Sequence, residues 1–397
     1  MIHFFNPGHE TAVLNGSPYY MAPANVLSMQ HELAYLPAWY VNRKDNVFVW
    51  SVNDNNFYKF LTDNLGKLPQ PLLESDLIQN LETQISFWGI SPQAIHYWSQ
   101  IQQVKGLNLS LPKWDEKYTY LNSRVAAKDI LSELLKRIPQ VSPKIVPEFF
   151  ASLKEIEDIV GGISEPLLAK APFSSSGRGL LWLPIGGLTQ TERQILHGIL
   201  KKQGQVSIEK VLNKEIDFAM EFISNGSGTV KFIGYSLFDT NKRGAYLGNY
   251  LGSQEYIIKL LTEKISEELL DRVKKNIEEL LSLQCGNIYN GCIGVDMMIY
   301  KDGNNYYIHP CLEINMRYNM GYLALKFSQN YLSENSEGHF FITFKAKSGE
   351  IYKNHQDMRL TYPAQFERNK LKRGYLPLCP VNVNSHYWTY ALVSHKL

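Results

Sequence analysis

The stretch Cys311-Leu312-Glu313-Ile314-Asn315-Met316-Arg317 is the most informative part of this sequence for the fold and the site. Apolar and polar residues alternate along it, which predicts a β-strand whose successive side chains point to opposite faces. Glu313, Asn315 and Arg317 therefore share one face. A strand with two oxygen-bearing side chains and a cation on one face, and apolar residues on the other, is unusual as plain surface.

A second strand is predicted just before it, over residues 295–300, with a single acid, Asp296, among apolar neighbours. Asp302-Gly303 lies between the two strands and is a strong hairpin signal. A two-residue turn would pair Asp296 with His309, and a four-residue loop would pair it with Cys311. In either register Asp296 lies on the same face as Glu313, and in the second register the two are diagonal neighbours roughly 7 Å apart.

Two carboxylates this close repel each other unless a cation lies between them. Asp296, Glu313 and Asn315 all carry hard oxygen donors, which suit Mg²⁺ together with substrate phosphates, and Mn²⁺ accepts the same ligands. The alternative is a solvent-facing polar side of the hairpin, which is the better interpretation of any one of these residues but not of the set.

A second candidate segment is a strand over residues 167–173, which carries Lys170 and leads into a Ser- and Gly-rich loop. The small residues of that loop are Ser174, Ser175, Ser176 and Gly177. Their backbone N–H groups can approach an anion closely, so the segment is a candidate phosphate loop with Lys170 reaching the phosphate oxygens. It is not a Walker A loop, because a strand follows it. The alternative is a flexible hairpin tip with an ordinary lysine.

The composition excludes several classes of protein. The 397 residues include 40 Lys+Arg and 38 Asp+Glu, a net charge of +2, which argues against a nucleic-acid binder. No apolar run approaches the ~18–20 residues of a membrane span, and the first residues do not resemble a signal peptide. The four cysteines form no metal or disulfide pattern, so we expect reduced thiols in a cytoplasmic protein.

The order of predicted elements gives an α/β and α+β multidomain chain. We expect an open α/β domain over residues 1–118, a central domain over 119–330 with a lid subdomain at about 140–210, and a β-rich element over 331–397. In the last of these, the predicted strands are residues 340–346, 358–362 and 387–394.

Taken together, these segments resemble the ATP-grasp superfamily, in order from about residue 122 to 322. The resemblance implies that Arg124 and Lys170 bind phosphates and that Ser174, Ser175, Ser176 and Gly177 form the lid loop. It implies that Glu209 and Val211 meet adenine through the backbone, that Lys210 lines the pocket and that Glu215 holds the ribose. It also implies that Asp296, Glu313 and Asn315 bind metal and that Arg317 is catalytic, with Arg243 as the second catalytic candidate.

The resemblance further implies an N-terminal α/β domain, then an ATP-grasp fold of two α+β subdomains, with ATP and Mg²⁺ as cofactors. It implies a ligase that activates a carboxylate as an acyl phosphate for attack by an amine or thiol, on a small-molecule, amino-acid or peptide substrate. A kinase of this fold and a nucleotide-binding protein without catalysis are the alternatives. The sequence lacks the QVEH run of biotin carboxylases, which argues against a biotin-dependent enzyme.

The segment Asn6-Pro7-Gly8-His9-Glu10 follows the first predicted strand. Ligands of open α/β sheets gather at the carboxyl ends of strands. We therefore expect His9 and Glu10 to hold the acceptor substrate, with a polar turn as the equal alternative.

Overall fold

The structure is a computed structural model that describes residues 1–52, 54–79, 82–174, 177 and 179–395. The chain forms two compact units. Unit 1 consists of Met1–Asp115, Leu247–Tyr256 and Arg317–Leu397, and unit 2 of Glu116–Tyr246 and Ile257–Met316. Unit 1 is thus assembled from three separate stretches of sequence.

The strands are β1 Ile2–Phe4, β2 Asn46–Phe48, β3 Gln70–Leu72, β4 Thr83–Phe87, β5 Leu109–Ser110, β6 Glu148–Phe150, β7 Leu167–Lys170, β8 Leu180–Leu183, β9 Val206–Lys210, β10 Asn213–Asn225, β11 Val230–Thr240, β12 Tyr246–Leu251, β13 Asn290–Asp302, β14 Asn305–Asn315, β15 Ser336–Phe344, β16 Gln365–Glu367, β17 Lys370–Pro377 and β18 Tyr387–His395. The α-helices are α1 His9–Asn15, α2 Ala24–Glu32, α3 Asn55–Leu65, α4 Pro92–Lys105, α5 Lys117–Leu121, α6 Arg124–Arg137, α7 Leu153–Gly162, α8 Gln190–Gln203, α9 Gln254–Thr262, α10 Glu267–Cys285, α11 Met320–Tyr331 and α12 Glu350–Thr361. None of these helices, which cover the described residues only, is both long and apolar enough to cross a membrane.

Unit 1 contains the predicted open α/β sheet. Its strands run parallel in the order β3-β2-β1-β4-β5. The helix α4 begins as the sequence predicts, because the Ser91 side chain accepts from the Ala94 N–H and Pro92 occupies the first helical position. Strands β15 to β18, near the carboxyl end of the chain, pair antiparallel in the order β15-β18-β17-β16.

The same unit buries large aromatic side chains between its sequence-distant stretches. Trp39 has no exposed surface, and its indole Nε1–H donates to the Leu378 carbonyl at 2.7 Å. The Trp39 ring packs against Phe327 and Tyr331 of α11, with ring centroids 5.4 and 5.3 Å away. Residues near position 40 and residues beyond 320 therefore form one core.

Unit 2 contains two antiparallel sheets. One has the order β14-β13-β10-β11, with α6 packed on β14 and α10 on β11. The other has the order β6-β9-β7-β8, and helices α7 and α8 supply Ile156, Val160 and Leu196 to its apolar core. The second sheet includes the region that the sequence predicts as a lid subdomain.

The structure corrects some predicted elements. Residues 358–361 form the end of α12, and Tyr362 follows it, so this segment is not a strand. The spacing of Ile351, His355 and Met358 is helical, and it places them on the side of α12 that packs inward. The loop predicted at His9 and Glu10 is the first turn of α1, and the strand predicted through Arg317 ends at Asn315.

Candidate functional site

The β13–β14 hairpin of unit 2 brings the two predicted metal-binding carboxylates directly opposite each other. Asp302 pairs with Asn305 and Met298 with His309, and a register shift then pairs Asp296 with Glu313. Neither predicted register of Asp296 is correct. The shift occurs at Pro310, which has no N–H to donate to the ladder, so extra residues bulge out of β14 there.

Residues directly opposite in neighbouring strands point to the same face, so the register defines the composition of that face. One row across the sheet contains Glu313, Asp296 and Ala219, and the next contains Asn315, Gly294 and Glu221. Successive rows are about 7 Å apart, because each spans two residues of strand. The predicted oxygen donors Asp296, Glu313 and Asn315 therefore lie within two neighbouring rows.

A fourth polar group on this face, Glu221, is absent from the sequence-based set. Its side chain is buried and accepts a hydrogen bond from the Ser236 hydroxyl at 3.0 Å. The signal is present in the sequence, because Asp217, Ala219 and Glu221 alternate with apolar residues along β10. The strand is apolar enough overall that this alternation does not stand out.

Arg124 connects the carboxylate face to the second sheet of unit 2. Its Nη2 donates to Glu313 Oε2 at 2.6 Å, and its Nε donates to the Ala171 carbonyl at 3.2 Å. The Arg124 side chain is 10% exposed, so a cation is held beside Glu313 in a mostly buried position. Ser174 Oγ lies 3.5 Å from the same guanidinium group. The structure therefore brings Arg124, Ser174 and Glu313 together.

Lys170 and Glu209 form a second buried ion pair, on neighbouring strands β7 and β9. Lys170 Nζ lies 2.5 Å from Glu209 Oε2, and the side chains are 8% and 14% exposed. Burial raises the pKa of Glu209, but the charge and hydrogen bond of Lys170 together with the nearby Arg124 charge hold it below its usual range. His309 lies near this pair, and burial lowers the pKa of His309 to about 4, so its ring is neutral at pH 7.

The remaining nucleotide-site candidates lie at less buried positions. Lys210 pairs with Glu165 at 2.6 Å with nearly half of its side chain exposed, and Glu215 pairs with Lys264 at 2.9 Å. The Val211 N–H donates to the Pro166 carbonyl at 3.1 Å.

The glycine-rich loop approaches the turn that carries Arg243. Gly177 has φ +75°, and a Cβ atom there would lie 2.6 Å from the Gly244 carbonyl oxygen, so only glycine fits. Arg243 itself is exposed. Ser175 and Ser176, which the sequence assigns to the same loop, lie outside the described residues.

The other three candidates, Arg317, His9 and Glu10, belong to unit 1. Arg317 Nε donates to Glu10 Oε1 at 2.5 Å, and the two side chains are 15% and 11% exposed. His9 is buried beside them, and this burial lowers its pKa to about 4. The structure thus joins a predicted catalytic residue to a predicted substrate-binding residue.

The donor set of unit 2 fits a magnesium ion that also binds phosphates. The described residues include no group of three or more His, Cys, Asp or Glu side chains that could hold a metal by themselves. Asp296, Glu313 and the Asn315 amide would leave part of the coordination shell to substrate and water, which is the arrangement Mg²⁺ prefers.

No protein-family model and no curated protein matches the sequence, but solved structures do. A biotin carboxylase–β-γ-ATP complex from Campylobacter jejuni is 11% identical over 100% of this chain and 88% of that chain, with a TM-score of 0.50. An N5-carboxyaminoimidazole synthetase from Staphylococcus aureus complexed with ADP is 11% identical over 100% and 93% of the two chains, with a TM-score of 0.47. An L-amino acid ligase from Bacillus licheniformis is 14% identical over 79% and 75%, with a TM-score of 0.42.

These proteins are ATP-grasp proteins. The chain has the ATP-grasp fold, and the fold predicted from its sequence is confirmed.

Proposed function

We propose that this protein is an ATP-dependent ligase that activates a carboxylate as an acyl phosphate for attack by an amine or a thiol. One observation carries the proposal. Asp296 and Glu313 face each other across a hairpin in the same unit that buries two cations, Arg124 and Lys170. This unit therefore offers carboxylates to a metal ion and cations to phosphates.

The fold supports a nucleotide as the ligand. The Campylobacter jejuni biotin carboxylase that shares the fold was solved as a β-γ-ATP complex. We infer that unit 2 binds ATP in a comparable way, with backbone groups of Glu209 and Val211 near the base, Lys210 beside it and Glu215 near the ribose. The loop of Ser174 to Gly177 would then cover the phosphates.

In this proposal Asp296, Glu313 and Asn315 hold Mg²⁺, and Mn²⁺ substitutes for it. The metal, when bound, neutralises charge on the transferring phosphoryl group. Arg124 and Lys170 act on the same charge from buried positions, where electrostatic interactions are stronger than in water. Each is already paired with a carboxylate, so nucleotide binding exchanges one anionic partner for another.

Orientation and charge stabilisation are the main requirements of phosphoryl transfer, since the protein need not form a covalent bond. We assign Arg317 to the developing charge of the acyl phosphate and Arg243 to the same task from its exposed turn. The acceptor is a small molecule, an amino acid or a peptide. The four cysteines are buried and form no disulfide, which suits a cytoplasmic location.

The test is incubation with Mg-ATP and a panel of carboxylic acids and amines, with product analysis by mass spectrometry. ADP, phosphate and an amide support the proposal. ADP with a phosphorylated metabolite would indicate a kinase, and nucleotide binding without turnover would indicate a non-catalytic protein. The Asp296→Asn variant is the matched control, because any genuine turnover should vanish in it.

A further inference from the structure

Glu10 holds the guanidinium group of Arg317 in a defined orientation within unit 1. Besides the 2.5 Å bond from Nε to Glu10, the Nη1 of Arg317 donates to the Tyr318 carbonyl at 3.1 Å. The guanidinium group is planar, so bonds from two of its nitrogens restrict its rotation. Both side chains are mostly buried, which strengthens the ion pair and excludes competing water.

The first turn of α1, which carries Glu10, lies beside the carboxyl ends of β1 and β4. The Asn6 side chain, just beyond β1, donates to the Gly89 carbonyl at 2.7 Å and accepts from the Gly89 N–H at 3.1 Å. Gly89 also provides the space for His9, because a Cβ atom there would lie 2.3 Å from His9 Cγ. The first turn of α1 therefore rests on the edge of a hydrogen-bonded sheet.

The residue after Arg317 is attached to the same edge. The Tyr318 N–H donates to the Trp88 carbonyl at 2.8 Å, and its ring stacks on Tyr40 with centroids 4.6 Å apart. Trp88 and Gly89 are consecutive, so one short segment beyond β4 contacts His9, the neighbour of Glu10, and Tyr318, the neighbour of Arg317.

The charges are consistent with a permanent ion pair. Burial raises the pKa of the Glu10 carboxyl, but the Arg317 charge, the hydrogen bond from Arg317 and a backbone hydrogen bond together keep the pKa below its usual range. The neighbouring His9 is neutral at pH 7, because burial lowers its pKa to about 4. A neutral ring beside the pair does not repel Arg317.

We propose that Glu10 is a positioning residue, which orients the Arg317 guanidinium for the transferring phosphoryl group instead of holding the acceptor substrate. The inference rests on the proposed function, in which Arg317 meets the acyl phosphate. In this role Glu10, at the edge of the N-terminal sheet, influences the reaction through Arg317 and does not contact the substrates itself.

A kinetic double-mutant cycle tests this role. Glu10→Ala should lower kcat by about 10²-fold, since a small displacement of a catalytic group costs about that much, while the KM values for ATP and for the acceptor change little. In the Arg317→Ala background the same change should have no further effect, because Glu10 acts only through Arg317. Additive losses, or a raised KM for the acceptor alone, would overturn the proposal and favour direct substrate binding. Glu10→Asp, which keeps the charge, should recover part of kcat.

Glu32→Ala is the matched control for loss of a structural carboxylate. Glu32 Oε2 accepts from the N–H groups of His386 and Tyr387 at 2.7 Å each, also within unit 1. We expect lower stability of this variant with unchanged kcat.

A measurement without turnover covers variants that perturb folding. In ¹⁵N-arginine-labelled protein, the Nε–H signal of Arg317, identified by its loss in Arg317→Lys, should exchange slowly with solvent. Glu10→Ala, and also Gly89→Ala, should speed this exchange at least tenfold. Unchanged exchange in Glu10→Ala would refute the positioning role and leave ligase activity standing. A folded wild-type protein that turns over no ATP would refute the proposed function and this role with it.

Discussion

The buried Lys170–Glu209 pair gives the sharpest test of where the nucleotide binds. Glu209→Gln keeps the shape of the side chain and an oxygen that can accept the 3.2 Å hydrogen bond from Ser207, but it removes the charge. Lys170 is then a mostly buried ammonium without its 2.5 Å counter-ion. We expect the unliganded variant to be less stable than the wild type.

The magnitude follows from the burial of both groups. Removing one partner of a buried ion pair typically costs about 3–5 kcal/mol. Because the side-chain volume is retained, we expect a loss of about 3 kcal/mol for this variant. Phosphates would restore the missing negative charge beside Lys170. Mg-ATP at 100 times its dissociation constant stabilises a protein by about 2.7 kcal/mol. The variant should bind the nucleotide more tightly and so gain more stability than the wild type at the same nucleotide concentration.

The assay is urea denaturation with and without Mg-ATP or an unhydrolysable analogue. Glu165→Gln is the matched control. It breaks the ion pair between Glu165 and Lys210, the residue that follows Glu209 on β9, and because this pair is exposed the stability should not change. Equal stability of Glu209→Gln and wild type, or equal stabilisation of both by nucleotide, would refute the assignment of Lys170 to the phosphates.

Three further predictions concern the metal, acid and a buried hydroxyl. Asp296→Asn and Glu313→Gln should each abolish ATP turnover without unfolding the protein, and Mn²⁺ should sustain wild-type activity; turnover within a few-fold of wild type in both variants would exclude the metal assignment. The free energy of unfolding, measured by denaturation, should be highest above pH 6.5 and fall toward pH 4, because the unfolded chain then binds more protons than the folded one. The loss should reach about 3 kcal/mol for each buried histidine whose pKa is lowered to about 4. The histidines whose pKa burial lowers to about 4 are His9, His309 and His355. Tyr375→Phe should cost about 2–3 kcal/mol in thermal or urea denaturation, since it leaves two buried groups without their partner; a loss below 1 kcal/mol would contradict this. Those groups are His355 Nδ1, 2.6 Å from the hydroxyl, and Trp388 Nε1, at 2.8 Å.

The sequence predicts elements best where local signals agree. The Ser91-Pro92 start of α4 and the capping box at Thr189 and Glu192 both appear in the structure, because caps depend on a few neighbouring residues. The run at 358–362 was predicted wrongly as a strand, because five residues are too few to separate a strand from the end of a helix.

The site is less predictable than the fold, because its geometry depends on register and on distant partners. Side-chain alternation along the two strands predicts Asp296 and Glu313 on one face. The length of the bulge at Pro310, which makes them direct partners, has no signal in the sequence. The ion pairs of Arg124 with Glu313 and of Arg317 with Glu10 join residues 189 and 307 positions apart, and no local pattern encodes such contacts.

Trp39 has a consequence for how the chain is made. Its indole N–H bonds Leu378, 339 positions later in the sequence. At synthesis rates of 5–20 residues per second, roughly 20–70 s separate the appearance of these two residues on the ribosome. During that interval Trp39 lacks Phe327, Tyr331 and Leu378, the residues that it contacts in the folded chain. We therefore expect nascent chains halted before residue 320 to require holdase protection that the finished chain does not need.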